Sequence, residues 1–217
     1  MSESKQPALL NEVEDDDLFA ELREGAKAGD RQRAWQACEE LFRRYRTKVF
    51  GWCLRFLGNE ENAADVTQEI FLALLENPSR YAAQNRFGAW LFVVTRNRCL
   101  NAIRDGKSNR VTDLDESLAE TLRAVSDPAT EAERGDIARR VQQSCSSELD
   151  TREQAIVHLR YHWGLKMREI TSLLHLENAS GARTYLRTAE KKLRRALADL
   201  YCETRPGAKP PVRWTRE

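Results

Sequence analysis

At 217 residues the chain is long enough for one large domain or two small ones, and 35 basic against 34 acidic residues leave a formal charge of only +1. Five scattered cysteines (Cys38, Cys53, Cys99, Cys145, Cys202) with no C-x-x-C pair exclude a disulfide scaffold and fit a reducing compartment, the cytoplasm. No apolar run approaches the roughly 20 residues that span a bilayer, and MSESKQPALLNEVEDDD is too acidic for a signal peptide, so no membrane insertion is expected.

Charge is unevenly spread, with acid at the start and in the middle and Arg and Lys in the last third, so net charge conceals a local basic field. Residues 1–17 read as a disordered acidic leader. Helical periodicity begins at Leu18, continues through Leu22 and Ala26, and stops at Gly29. A second helix is expected over about 31–57. Its stripe of Trp35, Cys38, Leu41, Phe42, Tyr45, Val49, Trp52, Cys53 and Phe56 reads as core, and Gly58-Asn59 ends it.

In the third helix Val66, Ile70, Ala73 and Leu74 form an apolar stripe, while Asp65, Gln68 and Glu69 stand about a turn apart on another face. Pro78 ends it, because the residue before a proline is pushed out of helical geometry. The connector that follows carries Tyr81, Gln84, Asn85 and Arg86. By composition it is an ordinary polar connector, though aromatic and amide side chains are also the kind that hold an unstacked base. A fourth helix starts near Phe87, stays apolar through Val94 with Trp90 inward, then turns basic with Arg96, Arg98 and Arg104. Residues 18–106 therefore form one helical bundle.

Residues 107–136 have scattered acids, few large apolar side chains and Pro128, and read as a linker whose length argues for two domains. The second domain covers 137–202. Asp150 or Thr151 caps a helix with Glu153 in its first turn and Ile156, Leu159 and Trp163 inward, closed by Gly164. LKMREITSLLHL makes a short helix with Ile170, Leu173 and Leu174 inward. A long helix then runs from about Ser180 to Tyr201. Leu186, Ala189, Leu193, Leu197 and Leu200 face its core, and Arg183, Arg187, Lys191 and Arg194 recur along another face. Short helix, tight turn, long basic helix is a helix-turn-helix, whose second helix enters a major groove. Residues 203–217, rich in proline and basic side chains, read as a flexible tail.

No phosphate-binding glycine loop, nucleophile elbow or H-E-x-x-H appears, so neither an enzyme nor a cofactor is expected. His158 and His162 have a spacing that can hold a metal, but no third ligand lies nearby, and surface or packing roles are simpler. The same holds for Asp65 and Glu69, which read as a protein-facing acidic patch. The fold class is all-α, in two small helical domains.

The run DVTQEIFLALLENPSRY…FGAWLFVVTRNRCLNAIR resembles the second domain of bacterial RNA polymerase sigma factors of the extracytoplasmic-function group, within the sigma-70 family. The family's Asp-x-x-Gln-Glu-x-Phe pattern, its Phe-x-x-Trp-Leu segment and its basic helix occur here in order. The resemblance implies that Asp65, Gln68, Glu69 and Phe71 contact the polymerase clamp. It implies that Tyr81, Asn85, Arg86, Phe87, Arg96, Asn97 and Arg98 capture the melted minus-ten strand, with a flipped base held in the connector. The second domain is similar to the fourth sigma domain. There Ser180, Arg183, Thr184, Arg187 and Lys191 would contact the minus-thirty-five duplex, and the domain would dock on the polymerase flap. Many relatives are held inactive by an anti-sigma factor covering both domains, and such a protein joins core polymerase and promoter DNA as an implied partner. The chain departs from the family in having His175 where glycine is common and a turn, Leu176 to Ser180, one residue longer. Asn178 is suited to the left-handed conformation there, and Asn178 or Ser180 to capping. The rival readings are a helix-turn-helix regulator that binds DNA alone and a helical interaction protein whose basic helix contacts protein.

Overall fold

The computed structural model describes residues 13–78, 86–106, 135–176 and 181–204, with side chains described except at 135–139 and 199–204. Among these residues all regular elements are helices: α1 (Asp15–Ala28), α2 (Arg31–Leu57), α3 (Glu60–Glu76), α4 (Phe87–Arg104), α5 (Gly135–Glu148), α6 (Thr151–Tyr161), α7 (Met167–Leu173) and α8 (Gly181–Thr204). They fall into two compact units, Met1–Ser126 and Asp127–Glu217, divided within the span expected to be a linker. The expected leader to residue 12, linker residues 107–134, and tail residues 205–217 lie outside the described residues.

In unit 1, α2 is the central rod on which α1, α3 and α4 all pack. Its boundaries follow from local chemistry. Asp30 and Asn59 accept the backbone N–H groups of Arg33 and Asn62, capping α2 and α3. Gly29 and Gly58, at φ 73° and 68°, end α1 and α2. Leu18, Phe19, Leu22, Leu41, Leu54, Leu57, Leu74, Phe87 and Leu91 are at most 1 % exposed and make the core. At Gly25 α1 approaches α2 so closely that a Cβ would lie 2.8 Å from the Ala34 nitrogen, which holds the two backbones to a glycine contact.

Two expectations fail here. The first helix begins at Asp15, not Leu18, because Asp15, Asp16 and Asp17 occupy a helix N-terminus that favours negative charge and two of them have tertiary partners. The aromatic stripe of α2 is not all core: Trp35 is 57 % and Phe42 39 % exposed. The apolar face of α2 is wider than its neighbours cover, although Phe42 still meets Phe71 edge-on at 4.9 Å.

A charged network ties α1 to α2. Glu40 is buried and accepts from Arg43 and Arg44 at 2.7 Å, while Arg44 also donates to Asp15 at 2.7 Å and to the Val13 carbonyl at 2.8 Å. The Tyr45 hydroxyl donates to the other Asp15 oxygen.

In unit 2, α5 and α6 both lie against α8, and α7 packs on α6 and α8. Asp150 caps α6 in a full capping box with Glu153. Glu153 is buried and also takes an ion pair from Lys192 of α8 at 2.7 Å. Ile156, Leu159, Ile170, Ala182 and Ala189 are the packed centre, joined by half-buried Leu173, Leu174, Leu186, Leu193 and Leu197. The Leu200 side chain lies outside the description. Helix α5 was not singled out from the sequence, though Ile137, Val141 and Cys145 recur every four residues there.

The Arg43 guanidinium, with Arg44 adding and burial opposing, holds the Glu40 carboxyl down at about 2. A free glutamate titrates near ~4.3, so this depressed carboxyl contributes stability that is full above about pH 5 and lost as pH falls toward about 2. The gap in thermal midpoint between the natural chain and Glu40→Gln, followed by circular dichroism at stepped pH, should narrow over that window.

Candidate functional site

The acidic stripe on α3 is built by helical spacing alone. Asp65, Gln68 and Glu69 are all exposed on one face, and Leu72, half exposed at 50 %, continues it one turn further. No ion pair within the described residues engages Asp65 or Glu69. Phe71 does not join them. It is 6 % exposed and packed against Phe42, so its side chain supports the α2–α3 contact from inside. Leu72, which was not named from the sequence, shares the exposed face with Asp65, Gln68 and Glu69. The signal was the i, i+3/i+4, i+7 series from Asp65, which passes through Leu72.

On α4 the residues separate in the same way. Arg86 is exposed, as are Asn97 and Arg98, and Arg96 is half-buried with its guanidinium donating to the Asn97 side-chain oxygen at 3.0 Å. Phe87 is core at 1 % exposure, between Phe19 at 5.2 Å and Tyr45 at 5.3 Å. Trp90 lies half-buried, stacked on Phe19 at 5.5 Å. Thr95 satisfies its buried hydroxyl on the Leu91 carbonyl. Tyr81 and Asn85 lie outside the described residues.

In unit 2 the start of α8, the basic helix, is held against α7. His175, φ 49°, takes a left-handed conformation after α7. Asn178 and Ser180 lie outside the described residues. Gly181 opens α8 at φ 48°, and a Cβ there would stand 2.5 Å from Thr171 Oγ1. The same oxygen accepts the Ala182 backbone N–H at 3.0 Å, pinning α8 to α7.

From that anchor, Arg183, Thr184, Arg187 and Lys191 are exposed along α8 and carry no ion pair among the described residues. Other cations of the unit are committed to the fold: Lys192 to Glu153, Arg194 to Glu190 at 3.5 Å, and Arg152 to the Tyr185 hydroxyl and ring. The Tyr161 hydroxyl donates to Glu190 at 2.7 Å, which raises its own titration and further ties α6 to α8. The remaining outward cations can meet phosphates and, in a groove, base edges.

His158 and His162 stack on each other at 4.7 Å, and Trp163 meets His162 edge-on at 5.2 Å, an aromatic packing cluster. No group of three or more potential metal ligands occurs among the described residues. No helix searched there is long and apolar enough to cross a membrane.

Residues 41–109 match the family model for sigma-70 region 2. The chain is 30 % identical over 183 residues to the ECF RNA polymerase sigma factor SigK of Mycobacterium ulcerans, covering 84 % of this chain and 94 % of that protein. It is 29 % identical over 182 residues to SigK of Mycobacterium tuberculosis H37Rv, covering 83 % and 94 %. To SigW of Bacillus subtilis it is 25 % identical over 163 residues, covering 72 % and 86 %.

Two substitutions check this division between fold and surface. Phe87→Ala should cost about 3–5 kcal/mol of unit 1 stability, the scale for emptying a large aromatic core site, as read by denaturant unfolding. Gly181→Ala should lower unit 2 stability by more than ~1 kcal/mol, since it adds both a clash and a strained φ. A neutral result at either position would return that residue to the surface.

Proposed function

Because this chain belongs to the extracytoplasmic-function group of RNA polymerase sigma factors, we propose that its two units divide the work of promoter recognition, unit 1 holding polymerase and the melted minus-ten strand and unit 2 the minus-thirty-five duplex. Members of the family are not enzymes; they direct initiation by a polymerase that supplies the catalysis. The observation that carries the proposal is a segregation of charge. Asp65, Gln68 and Glu69 stand exposed on α3, Arg86, Asn97 and Arg98 on and just before α4, and Arg183, Arg187 and Lys191 on α8.

The acidic stripe, with Leu72 as its apolar member, suits a basic and partly apolar protein surface, which is the chemistry expected of the polymerase clamp. Buried Phe71 supports it from behind. The cations around α4 suit the phosphates of the melted strand, while Tyr81 and Asn85 supply the stacking and amide groups that the base-holding role needs. Arg183, Thr184 and Arg187 lie in the first turns of α8, where a helix entering a major groove makes its contacts, and Lys191 follows a turn later. Ser180 precedes the helix as a phosphate or base contact. The polymerase flap is the expected dock for unit 2, an anti-sigma factor the expected inhibitor and the cytoplasm the place of action. Two DNA contacts on one chain raise the effective concentration of each for its element.

The test is reconstitution. The purified chain plus core polymerase should start transcription at a defined promoter, and the chain alone should shift duplex DNA poorly. Asp65→Lys with Glu69→Lys should weaken polymerase binding by at least about tenfold, equivalent to ~1.4 kcal/mol, with fold stability changed by less than ~0.5 kcal/mol. Tight duplex binding without polymerase would favour the stand-alone regulator. Unchanged polymerase affinity would remove the acidic stripe from the interface.

A further inference from the structure

We propose that Asp16 is a positioning residue for capture of the melted DNA strand: it caps α4 from another helix and so fixes the start of that helix, where Arg86 stands. The inference rests on the reading of unit 1 given above.

Helix α4 begins without a cap of its own. Its N-cap residue is Arg86, whose side chain makes no capping hydrogen bond, as expected of a group that can only donate. The Trp90 N–H reaches the Arg86 carbonyl at 3.1 Å, closing the first turn. The Phe87 N–H is instead accepted by Asp16 Oδ1 at 2.6 Å, across 71 residues of sequence. That N–H sits in a dry place, with Phe87 1 % exposed and Gly88 and Ala89 buried beside it. A carboxylate there meets an otherwise orphaned donor and the positive end of the α4 dipole at once.

Asp16 is held in place to do this. Asp15 beside it is fixed by Arg44 and Tyr45, and Phe19, almost one turn on, packs against both Phe87 and Trp90. The first turn of α1 is thus a platform for the first turn of α4. The bundle does not depend on this one bond. Leu18 and Leu22 bury α1, Glu21 pairs with Arg33, and α4 is anchored further along by Leu91, Cys99 and the contact of Phe92 with Trp52 at 5.3 Å. Losing the cap frees the start of α4, where Arg86 stands, and leaves the α3 stripe untouched.

The experiment uses holoenzyme assembled from the full chain and core polymerase, on a DNA selected from a randomised library for transcription by the natural holoenzyme. Assembly is read by titration with labelled chain, and strand opening by permanganate reactivity of unpaired thymines. Asp16→Ala should assemble within about twofold of the natural chain yet open the DNA about tenfold less, the scale of one charge-assisted hydrogen bond. Asp16→Asn, which keeps a side-chain oxygen able to accept the Phe87 N–H, should restore opening to within about threefold. Normal opening by Asp16→Ala, or an Asp16→Asn as defective as Asp16→Ala, overturns this inference alone. A natural chain that assembles with polymerase but opens no library member overturns the reading beneath it, and this inference with it.

Discussion

The first turn of α1 presents three consecutive carboxylates, and the partners of two of them set how unit 1 is assembled. Asp15 takes Arg44 and Tyr45 of α2, and Asp16 takes the first backbone N–H of α4. Apolar burial draws the helices together without specifying their register, because it is proportional to area and indifferent to direction. Hydrogen bonds to a buried network do specify it. Arg44 bridges Asp15 and Glu40, so the start of α1 and the middle of α2 are joined through one guanidinium with little exposure to water. Glu40, the buried member, is tolerated there because both Arg43 and Arg44 pair with it.

Unit 2 solves the same problem with smaller means. There α7 meets α8 through the lack of a side chain at Gly181 and through the Thr171 hydroxyl, which accepts from the α8 backbone, and His175 takes a left-handed conformation after α7. The cations of α8 then divide by position on the helix. Lys192 and Arg194 are spent on Glu153 and Glu190, and Arg183, Arg187 and Lys191 face outward. A basic helix is therefore partly scaffold, and counting its arginines and lysines would overstate the charge available to a nucleic acid.

The near-zero net charge of the whole chain conceals this partition. Exposed acid lies on α3, and exposed base on α4 in the same unit and on α8 in the other. For a protein that joins a protein machine to a polyanion, separated patches matter more than their sum.

Much was legible from the sequence because it depends on neighbours within a turn or two: the extents of α2, α3 and α4, the Gly29 and Gly58 stops, the Asp150 cap, the inward Ile156, Leu159 and Ile170, and the shared face of Asp65 and Glu69. These are matters of helical period and capping, which local sequence encodes. Only the tertiary structure decided the rest. Phe71 and Phe87 proved to be core, Trp35 and Phe42 partly bare, and Asp15 and Asp16 structural elements where composition suggested a loose leader. For Phe71, Phe87, Asp15 and Asp16 the deciding contact comes from a helix 29 to 71 residues away, and no periodicity along one helix reports which of its faces a distant helix will cover.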